Sequence, residues 1–289
     1  MQVQKIELTG LGFGGDFTSE ESYKSLLSNI QFCGSDVKLI SITSCFPNEG
    51  KTTISLELSR ELAEAGKKVL MIDGDMRNSN VVRKHTRAKD IKGLSQLLSG
   101  QISLTDALYE SQYKGFFVIF AGQTPPNPVE LFNSSKFKSL LRSAGEIFDY
   151  VIIDTPPLGM VIDAAVIASQ TDSSVLVLGA GKVSYRVAQS VYKQLVKSGS
   201  RVIGAVLNNV STKKTKYGGY GYGYGYGYGY GYGYGYSRYG KYGYGRYGYR
   251  RYGGYGDGYG KKSANIESQA DRKGDNREPG DPKSSGDAQ

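Results

Sequence analysis

The sequence of 289 residues contains no tryptophan, one histidine and two cysteines. The cysteines, Cys33 and Cys45, are too few for a disulfide framework and fit a reducing compartment. No apolar run approaches the ~18 residues that a membrane-spanning helix needs. The N-terminal sequence MQVQKIELTG also lacks the apolar stretch of a signal peptide. These absences predict a cytoplasmic protein and argue against a secreted disulfide scaffold or an integral membrane protein.

Tyrosine and glycine are concentrated near the C-terminus. Residues 217–260 hold 18 of the 24 tyrosines and 19 of the 40 glycines, and residues 220–236 alternate strictly between the two. Residues 211–289 also carry +7 of the total net charge of +9. Such a segment buries too little apolar surface to offset the entropy lost on ordering, so we expect a disordered tail over 211–289.

The preceding ~210 residues have the size of one globular domain. Short apolar runs alternate with segments of helical period, which predicts an α/β fold with a mostly parallel sheet flanked by helices. Strands are predicted at 37–43, 68–73, 116–122, 150–154, 174–180 and 201–208. Helices are predicted at 52–66, 128–145, 161–170 and 184–198, with an N-capped amphipathic helix within 19–30. The predicted organisation is an N-terminal segment with that helix (1–36), the α/β domain (37–210) and the tail (211–289).

The first predicted strand-to-helix junction reads ITSCFPNEGKTT (residues 42–53). Its end matches the phosphate-binding loop G-x-x-x-x-G-K-[ST], although Cys45 replaces the first glycine. In such a loop backbone N–H groups hold the phosphates of ATP, Lys51 neutralises their charge and Thr52 offers its hydroxyl to Mg²⁺. The predicted ATP-binding residues of the loop are Phe46, Pro47, Asn48, Glu49, Gly50, Lys51, Thr52 and Thr53.

Two further motifs place carboxylates at predicted strand ends. Asp73 and Asp75 lie in LMIDGDMR (70–77), and Asp154 lies in DYVIIDTPP (149–157). Each motif alone is compatible with a polar loop or an ordinary strand end. Three such elements on three different strands predict a magnesium–nucleotide site, with Thr52, Asp75 and Asp154 as the candidate metal ligands.

The three motifs resemble the Walker A, A′ and B motifs of the bacterial tyrosine kinases of capsule and exopolysaccharide synthesis. The segments GLSQLLSG (93–100), AGQTPPNPVELF (121–132) and DAAVIASQTDSSVLV (163–177) are also similar to that family. The similarity covers roughly residues 20–210, and a tyrosine-rich C-terminus is the family's other mark. The chain looks most like the form in which the kinase and its membrane activator are separate polypeptides.

This resemblance implies an ATP- and Mg²⁺-dependent, non-specific protein-tyrosine kinase with a deviant, SIMIBI-like P-loop. It implies catalytic roles for Lys51, Asp73, Asp75 and Asp154, with Asp73 orienting or deprotonating the tyrosine hydroxyl. Asn208 is interpreted as a purine contact or as the cap of a turn. The expected partners are a membrane-bound activator at the inner face of the plasma membrane, further copies of the chain and a phosphotyrosine phosphatase. No nucleic acid is expected. The tail tyrosines expected to be phosphorylated in trans are Tyr220, Tyr222, Tyr224, Tyr226, Tyr228, Tyr230, Tyr232, Tyr234, Tyr236, Tyr239, Tyr242 and Tyr244.

Alternatives remain open at this stage. One is a P-loop ATPase switch without kinase activity, whose nucleotide state controls membrane or polymer association and whose tail is an adhesive, but Phe46, Pro47 and Asn48 stand where the partitioning ATPases carry K-G-G. The tail by itself is also compatible with a self-associating or RNA-binding segment. The family's Glu-x-x-Arg-x-x-Arg pattern is incomplete, because Lys24 and Leu27 replace its arginines. Arg77 and Arg83 are interpreted either as phosphate or acceptor contacts or as solvated loop side chains. The single histidine, His85, is interpreted as a surface residue.

Overall fold

The structure, a computed structural model, describes residues 3–14 and 16–210. Its strands are β1 (Gln4–Lys5), β2 (Leu39–Ser44), β3 (Val69–Asp73), β4 (Leu108–Glu110), β5 (Phe116–Ile119), β6 (Tyr150–Asp154), β7 (Ser173–Gly179) and β8 (Val202–Asn208). Its helices are α1 (Phe17–Phe32), α2 (Lys51–Glu64), α3 (Val81–His85), α4 (Leu94–Ser99), α5 (Leu104–Ala107), α6 (Pro128–Asn133), α7 (Ser135–Ile147), α8 (Asp163–Ala168) and α9 (Tyr185–Lys197). The predicted tail and its candidate phosphorylation sites lie outside the described residues.

The strands form one sheet in the order β1-β4-β5-β3-β6-β2-β7-β8. All neighbouring strands are parallel except β4 and β5, which are antiparallel. The predicted α/β fold with a mostly parallel sheet is therefore confirmed, and each of the six predicted strands has a counterpart. The prediction missed β1 and β4, because segments of two and three residues carry no readable period and depend on partners that are distant in sequence.

Helices cover both faces of the sheet. On one face α2 buries Ile54, Leu58 and Leu62, which recur with helical period, against the strands, and α1 packs on α2 from outside. On the other face α7 contributes Phe137 and Leu141 to a second apolar cluster. Because α2 has neighbours on both sides, every residue from 54 to 63 is buried, including its polar ones.

Two predicted helices have different boundaries in the structure. The segment predicted as one helix over 128–145 is broken at Ser134, which has extended backbone angles (φ −66°, ψ 153°). The Ser134 hydroxyl accepts a hydrogen bond from the N–H of Phe137 at 3.2 Å and so caps α7. The N-terminal helix starts earlier than predicted, since Asp16 is its cap and accepts from the N–H of Thr18 at 3.2 Å.

A buried polar network joins the N-terminal segment to α2. Arg60 bonds Glu57 at 2.9 Å and Glu61 at 2.5 Å, and its guanidinium lies 4.9 Å from the centroid of the Phe13 ring. The Phe13 ring in turn stacks on Tyr23 of α1 with a centroid distance of 4.9 Å. The network therefore fixes the position of α1 over α2, the helix that follows the phosphate loop. Among the described residues, no helix combines the length and apolarity required to cross a membrane.

Candidate active site

The three strands that carry the motifs are neighbours in the sheet, in the order β3-β6-β2. Because they are parallel, their C-terminal ends meet at one edge, where open α/β sheets bind ligands. Asp73 and Asp154 are partners in the β3–β6 register, and the N–H of Gly74 donates to the carbonyl of Asp154 at 2.7 Å. The sheet order thus brings together motifs that lie more than a hundred residues apart.

The end of the phosphate loop requires glycine. Gly50 has a φ of 92°, in the left-handed region, and directly precedes α2. A Cβ atom at Gly50 would collide with Nδ2 of Asn208, which donates to the carbonyl of Glu49 at 2.9 Å. Asn208 at the end of β8 therefore stabilises the loop itself, besides its predicted role as a purine contact.

Glu49 faces away from the predicted phosphate site. Its side chain is 1% exposed, and its carboxylate accepts from the N–H of Phe46 at 2.7 Å and from the N–H of Gly179 at 3.1 Å. Only the backbone of Glu49 is then available to a nucleotide, and the N–H of Phe46 is already used. The residue in place of the first glycine, Cys45, is buried, and burial together with Glu49 raises the pKa of its thiol to about 11.

The polar side chains of the three motifs form one chain of contacts. Nζ of Lys51 lies 3.3 Å from Oδ2 of Asp75 and 3.4 Å from the hydroxyl of Thr52. That hydroxyl donates to Oδ2 of Asp154 at 2.6 Å. Burial alone would lower the pKa of Lys51, but Asp154 and Asp75 outweigh it and raise that pKa. Lys51 therefore remains a full positive charge between the carboxylates.

Asp73 has no exposed surface. Its carboxylate accepts from the N–H of Asp75 at 3.2 Å and from the hydroxyl of Ser79. Burial, and then the charge of Asp154, raise the pKa of Asp73 to about 7. Burial also raises the pKa of Asp154, although Lys51 and Thr52 oppose that shift. Carboxylates in this environment favour a nearby cation.

A cavity of about 250 Å³ opens between these loops. Of the predicted site residues, it is lined by Pro47, Asn48, Gly50, Lys51, Thr52, Thr53 and Asp75. Arg77, Asn78, Asn80, Lys84, His85, Pro156, Pro157, Met160 and Val161 complete the lining. Glu49, Asp73 and Asp154 are buried and do not line it, and Phe46 lies outside the lining as an exposed side chain. His85, interpreted from the sequence as a surface residue, is half-buried at the cavity, and its ring nitrogen lies 3.0 Å from the carbonyl of Thr9.

A second cavity, of about 380 Å³, lies beside the end of β8. Asn208 lines it together with Ile54 of α2 and Tyr23 of α1. Asn208 therefore separates this cavity from the phosphate loop, because its amide contacts Glu49 on the other side. This is the position from which the side chain could reach a base whose phosphates occupied the loop.

The side chains near the loop suit magnesium only in combination with a nucleotide. No cluster of three or more histidine, cysteine, aspartate or glutamate side chains in the described residues could hold a metal ion. Mg²⁺ characteristically uses one or two carboxylates and completes its shell with water and phosphate oxygens. Thr52, Asp75 and Asp154 fit that requirement, because they are hard oxygen donors close to one another: Thr52 bonds Asp154 directly, and Lys51 contacts both Thr52 and Asp75.

Several residues of the site were not predicted from the sequence. Ser79 bonds Asp73, the hydroxyl of Ser55 lies 3.4 Å from Oδ1 of Asp154, and Lys182 donates to the carbonyl of Asn48 at 2.9 Å. Only Ser79 had a local signal, since it follows Asp73 within the same loop. The other two depend on contacts that the sequence does not reveal.

A family profile described as an AAA domain matches residues 37–198. Tyrosine-protein kinase CpsD of Streptococcus pneumoniae serotype 4 is 41% identical over 200 residues, which cover 69% of this chain and 88% of that protein. The chain belongs to the bacterial tyrosine kinase family. Tyrosine-protein kinase YwqD of Bacillus subtilis is 37% identical over 207 residues, covering 70% of this chain and 86% of the relative.

Solved structures agree with this assignment. The kinase domain of the Escherichia coli tyrosine kinase ETK superposes with a TM-score of 0.64 at 32% identity, covering 70% of this chain and 80% of that one. The predicted resemblance to the bacterial tyrosine kinases of capsule synthesis is thereby confirmed, and the chain is a protein-tyrosine kinase with a nucleotide-binding P-loop fold. The alternative of an ATPase switch without kinase activity is disfavoured.

Proposed function

We propose that this kinase transfers the γ-phosphoryl group of magnesium-bound ATP to tyrosines of its own C-terminal tail and so regulates capsular or exopolysaccharide synthesis and export. The observation that carries the proposal is the contact chain from Asp75 through Lys51 and Thr52 to Asp154 at one edge of the sheet. These contacts place a cation for the phosphates, Lys51, next to oxygen donors for the metal. Magnesium, when bound, would neutralise charge on the β- and γ-phosphates.

Asp73 is the proposed base. The phenolic oxygen of the acceptor forms a bond to the γ-phosphorus, the bond from that phosphorus to the bridging oxygen of ADP breaks, and the phenolic proton passes to Asp73. A pKa of about 7 lets this carboxyl accept a proton and release it again near neutral pH. Because Asp73 is buried, we propose that the proton is relayed by Ser79, which bonds Asp73 and lies between the cavity-lining residues Asn78 and Asn80.

The tail is the proposed principal acceptor. A glycine-rich segment can deliver many near-equivalent hydroxyls to a neighbouring subunit at high effective concentration. Each phosphate adds about −1.5 to −2 charge, so a few would reverse the tail's +7. We propose that this reversal releases the tail from the neighbouring subunit or from an anionic membrane surface.

The proposed setting is the cytoplasmic face of the plasma membrane, where a membrane-bound activator recruits the kinase and a cognate phosphatase resets it. Assembly of further copies would use α1. In that helix Lys24 bonds Glu20 at 2.7 Å and Glu21 at 3.2 Å, so its charge is satisfied within its own helix. Contacts between subunits would therefore depend on residues other than Lys24 and Leu27, which stand at the two arginine positions of the family's pattern.

A phosphotyrosine assay with Mg-ATP tests the proposal. The full chain would be compared with Lys51→Met and with a truncation after Thr212, alone and with the cytosolic segment of the candidate activator. Phosphotyrosine that requires both Lys51 and the tail is the expected result. ATP hydrolysis without phosphotyrosine under both conditions would contradict it and favour the ATPase switch.

A further inference from the structure

Asp163 is a buried carboxylate whose hydrogen bonding is incomplete. It is the first residue of α8, directly after the loop that follows β6, and its side chain is 1% exposed. Oδ1 accepts from Nε of Arg77 at 3.0 Å, whereas Oδ2 has no hydrogen-bond partner among the described residues. A buried charge with a single partner is costly, so its retention calls for a reason.

Arg77 connects this carboxylate to the cavity. It follows Asp75 by two residues, lines the 250 Å³ cavity with Lys51 and Thr52, and its side chain is 41% exposed. Its bond to Asp163 uses Nε, and its two Nη groups make no hydrogen bond within residues 3–14 and 16–210. One edge of the planar guanidinium is therefore held by protein, and its outer donors are free.

The electrostatic requirements of the reaction suit such a group. Lys51 is already engaged by Asp75 at 3.3 Å, and the carboxylates of Asp73 and Asp154 lie just behind the cavity surface. During phosphoryl transfer negative charge spreads over three equatorial oxygens of the phosphoryl group and needs donors fixed in advance. A cation held from behind by a buried carboxylate meets that need without reorganisation.

We propose that Arg77 is a further catalytic residue that contacts the transferred phosphoryl group, and that Asp163 is the positioning residue that orients it. The inference rests on the proposed magnesium–ATP site. As the acceptor oxygen bonds the γ-phosphorus and the bond to the ADP oxygen breaks, the Nη groups of Arg77 donate to equatorial oxygens. Lysine cannot replace it, because a single ammonium group cannot bond Asp163 and the phosphoryl group with arginine's planar geometry.

The test uses the full chain with Arg77→Ala, Arg77→Lys, Asp163→Asn and the double variant Arg77→Ala/Asp163→Asn. Arg83 offers a matched control: it is an exposed arginine of α3 that bonds Asn80 and does not line the cavity. Two quantities are measured for each variant. One is the rate of phosphotyrosine formation at saturating Mg-ATP; the other is the affinity for a fluorescent Mg-ADP with and without aluminium fluoride, which mimics the phosphoryl group in transfer.

Arg77→Ala should lower the rate about 100-fold and Arg77→Lys at least about tenfold, while the affinity for Mg-ADP alone changes less than about threefold. The affinity gained on adding aluminium fluoride should be lost in both variants and kept in Arg83→Ala. Asp163→Asn should lower the rate about tenfold but cost nothing further when Arg77 is already alanine. If Asp163→Asn fails to fold, the Arg77 variants decide the matter.

Two results would overturn the inference. In one, Arg77→Ala and Arg77→Lys keep rates within about threefold of the unmodified chain. In the other, they lose Mg-ADP affinity equally with and without aluminium fluoride, which would make Arg77 a ground-state contact. Failure of the unmodified chain to bind Mg-ADP at all would instead refute the proposed nucleotide site, and the inference with it.

Discussion

Replacing the buried carboxylate Asp73 with asparagine should stabilise the nucleotide-free protein at neutral pH. The pKa of Asp73 rises from 3.8 to about 7 on folding, because the side chain is fully buried and faces Asp154. The folded state therefore holds this proton more tightly than the unfolded state. Stability is lost as pH rises from the unfolded pKa to the folded one, and the loss is complete above about pH 7.

The size of the effect follows from that shift. A difference of about three pKa units corresponds to roughly 4 kcal/mol of unfolding free energy. Asparagine stays neutral and can still accept from Ser79, but its amide group brings two donors that the site was not built for, so we expect a gain of about 1–3 kcal/mol above pH 7. Near pH 4 the carboxyl is protonated in the folded state and only the penalty of the amide group remains, so there the variant should be less stable than the unmodified chain by about 1–3 kcal/mol.

Urea denaturation followed by far-UV circular dichroism measures this, since the chain has no tryptophan to report by fluorescence. Asp106→Asn is the control of opposite sign. Hydrogen bonds from Ser103 lower the pKa of that exposed carboxyl, so the ionised form stabilises the folded state. The Asp106→Asn variant should therefore become less stable relative to the unmodified chain as pH rises. A stability difference between Asp73→Asn and the unmodified chain that does not change between pH 4 and about pH 8 would refute the reasoning.

Two further predictions concern the phosphate loop and the buried network around Arg60. Gly50→Ala should lower nucleotide affinity more than about tenfold, because it places a Cβ against Nδ2 of Asn208 at a left-handed φ. Titration with a fluorescent ATP analogue measures this affinity, and a value within about twofold of the unmodified chain's would contradict the prediction. Arg60→Met should cost about 3–5 kcal/mol, because it leaves the buried Glu57 and Glu61 without their cation; an unchanged urea midpoint would count against it.

The sequence was sufficient to predict the sheet and the convergence of its motifs. Buried strands read as continuous apolar runs, and β2, β3 and β6 each end at a polar motif, so parallel packing alone brings their ends together. The break at Ser134 was not predicted, because the apolar period continues across it while one serine changes its backbone from helical to extended. A side chain that caps a new helix leaves little trace in a periodic pattern.

Within the site, the sequence identified the residues whose motifs are local. It did not reveal how these residues divide between the cavity surface and the layer behind it. Glu49 belongs to the predicted loop, but its carboxylate bonds Phe46 and Gly179, and only the structure shows that it braces the loop from behind. The pair of Arg77 and Asp163 joins residues that are 86 positions apart, and no spacing rule predicts such a contact.

The buried carboxylates connect stability to catalysis. Asp73 and Asp154 face each other at adjacent strand ends, and burial raises the pKa of each, so their ionised forms destabilise the nucleotide-free fold. A cation bound between the strand ends would favour the ionised forms and offset that cost. Magnesium–nucleotide binding should therefore tighten as pH rises toward the pKa of Asp73, and the stability gained on binding should be larger in the unmodified chain than in Asp73→Asn. Ionised Asp73 would thus lower the stability of the nucleotide-free protein and raise its affinity for the magnesium–nucleotide complex.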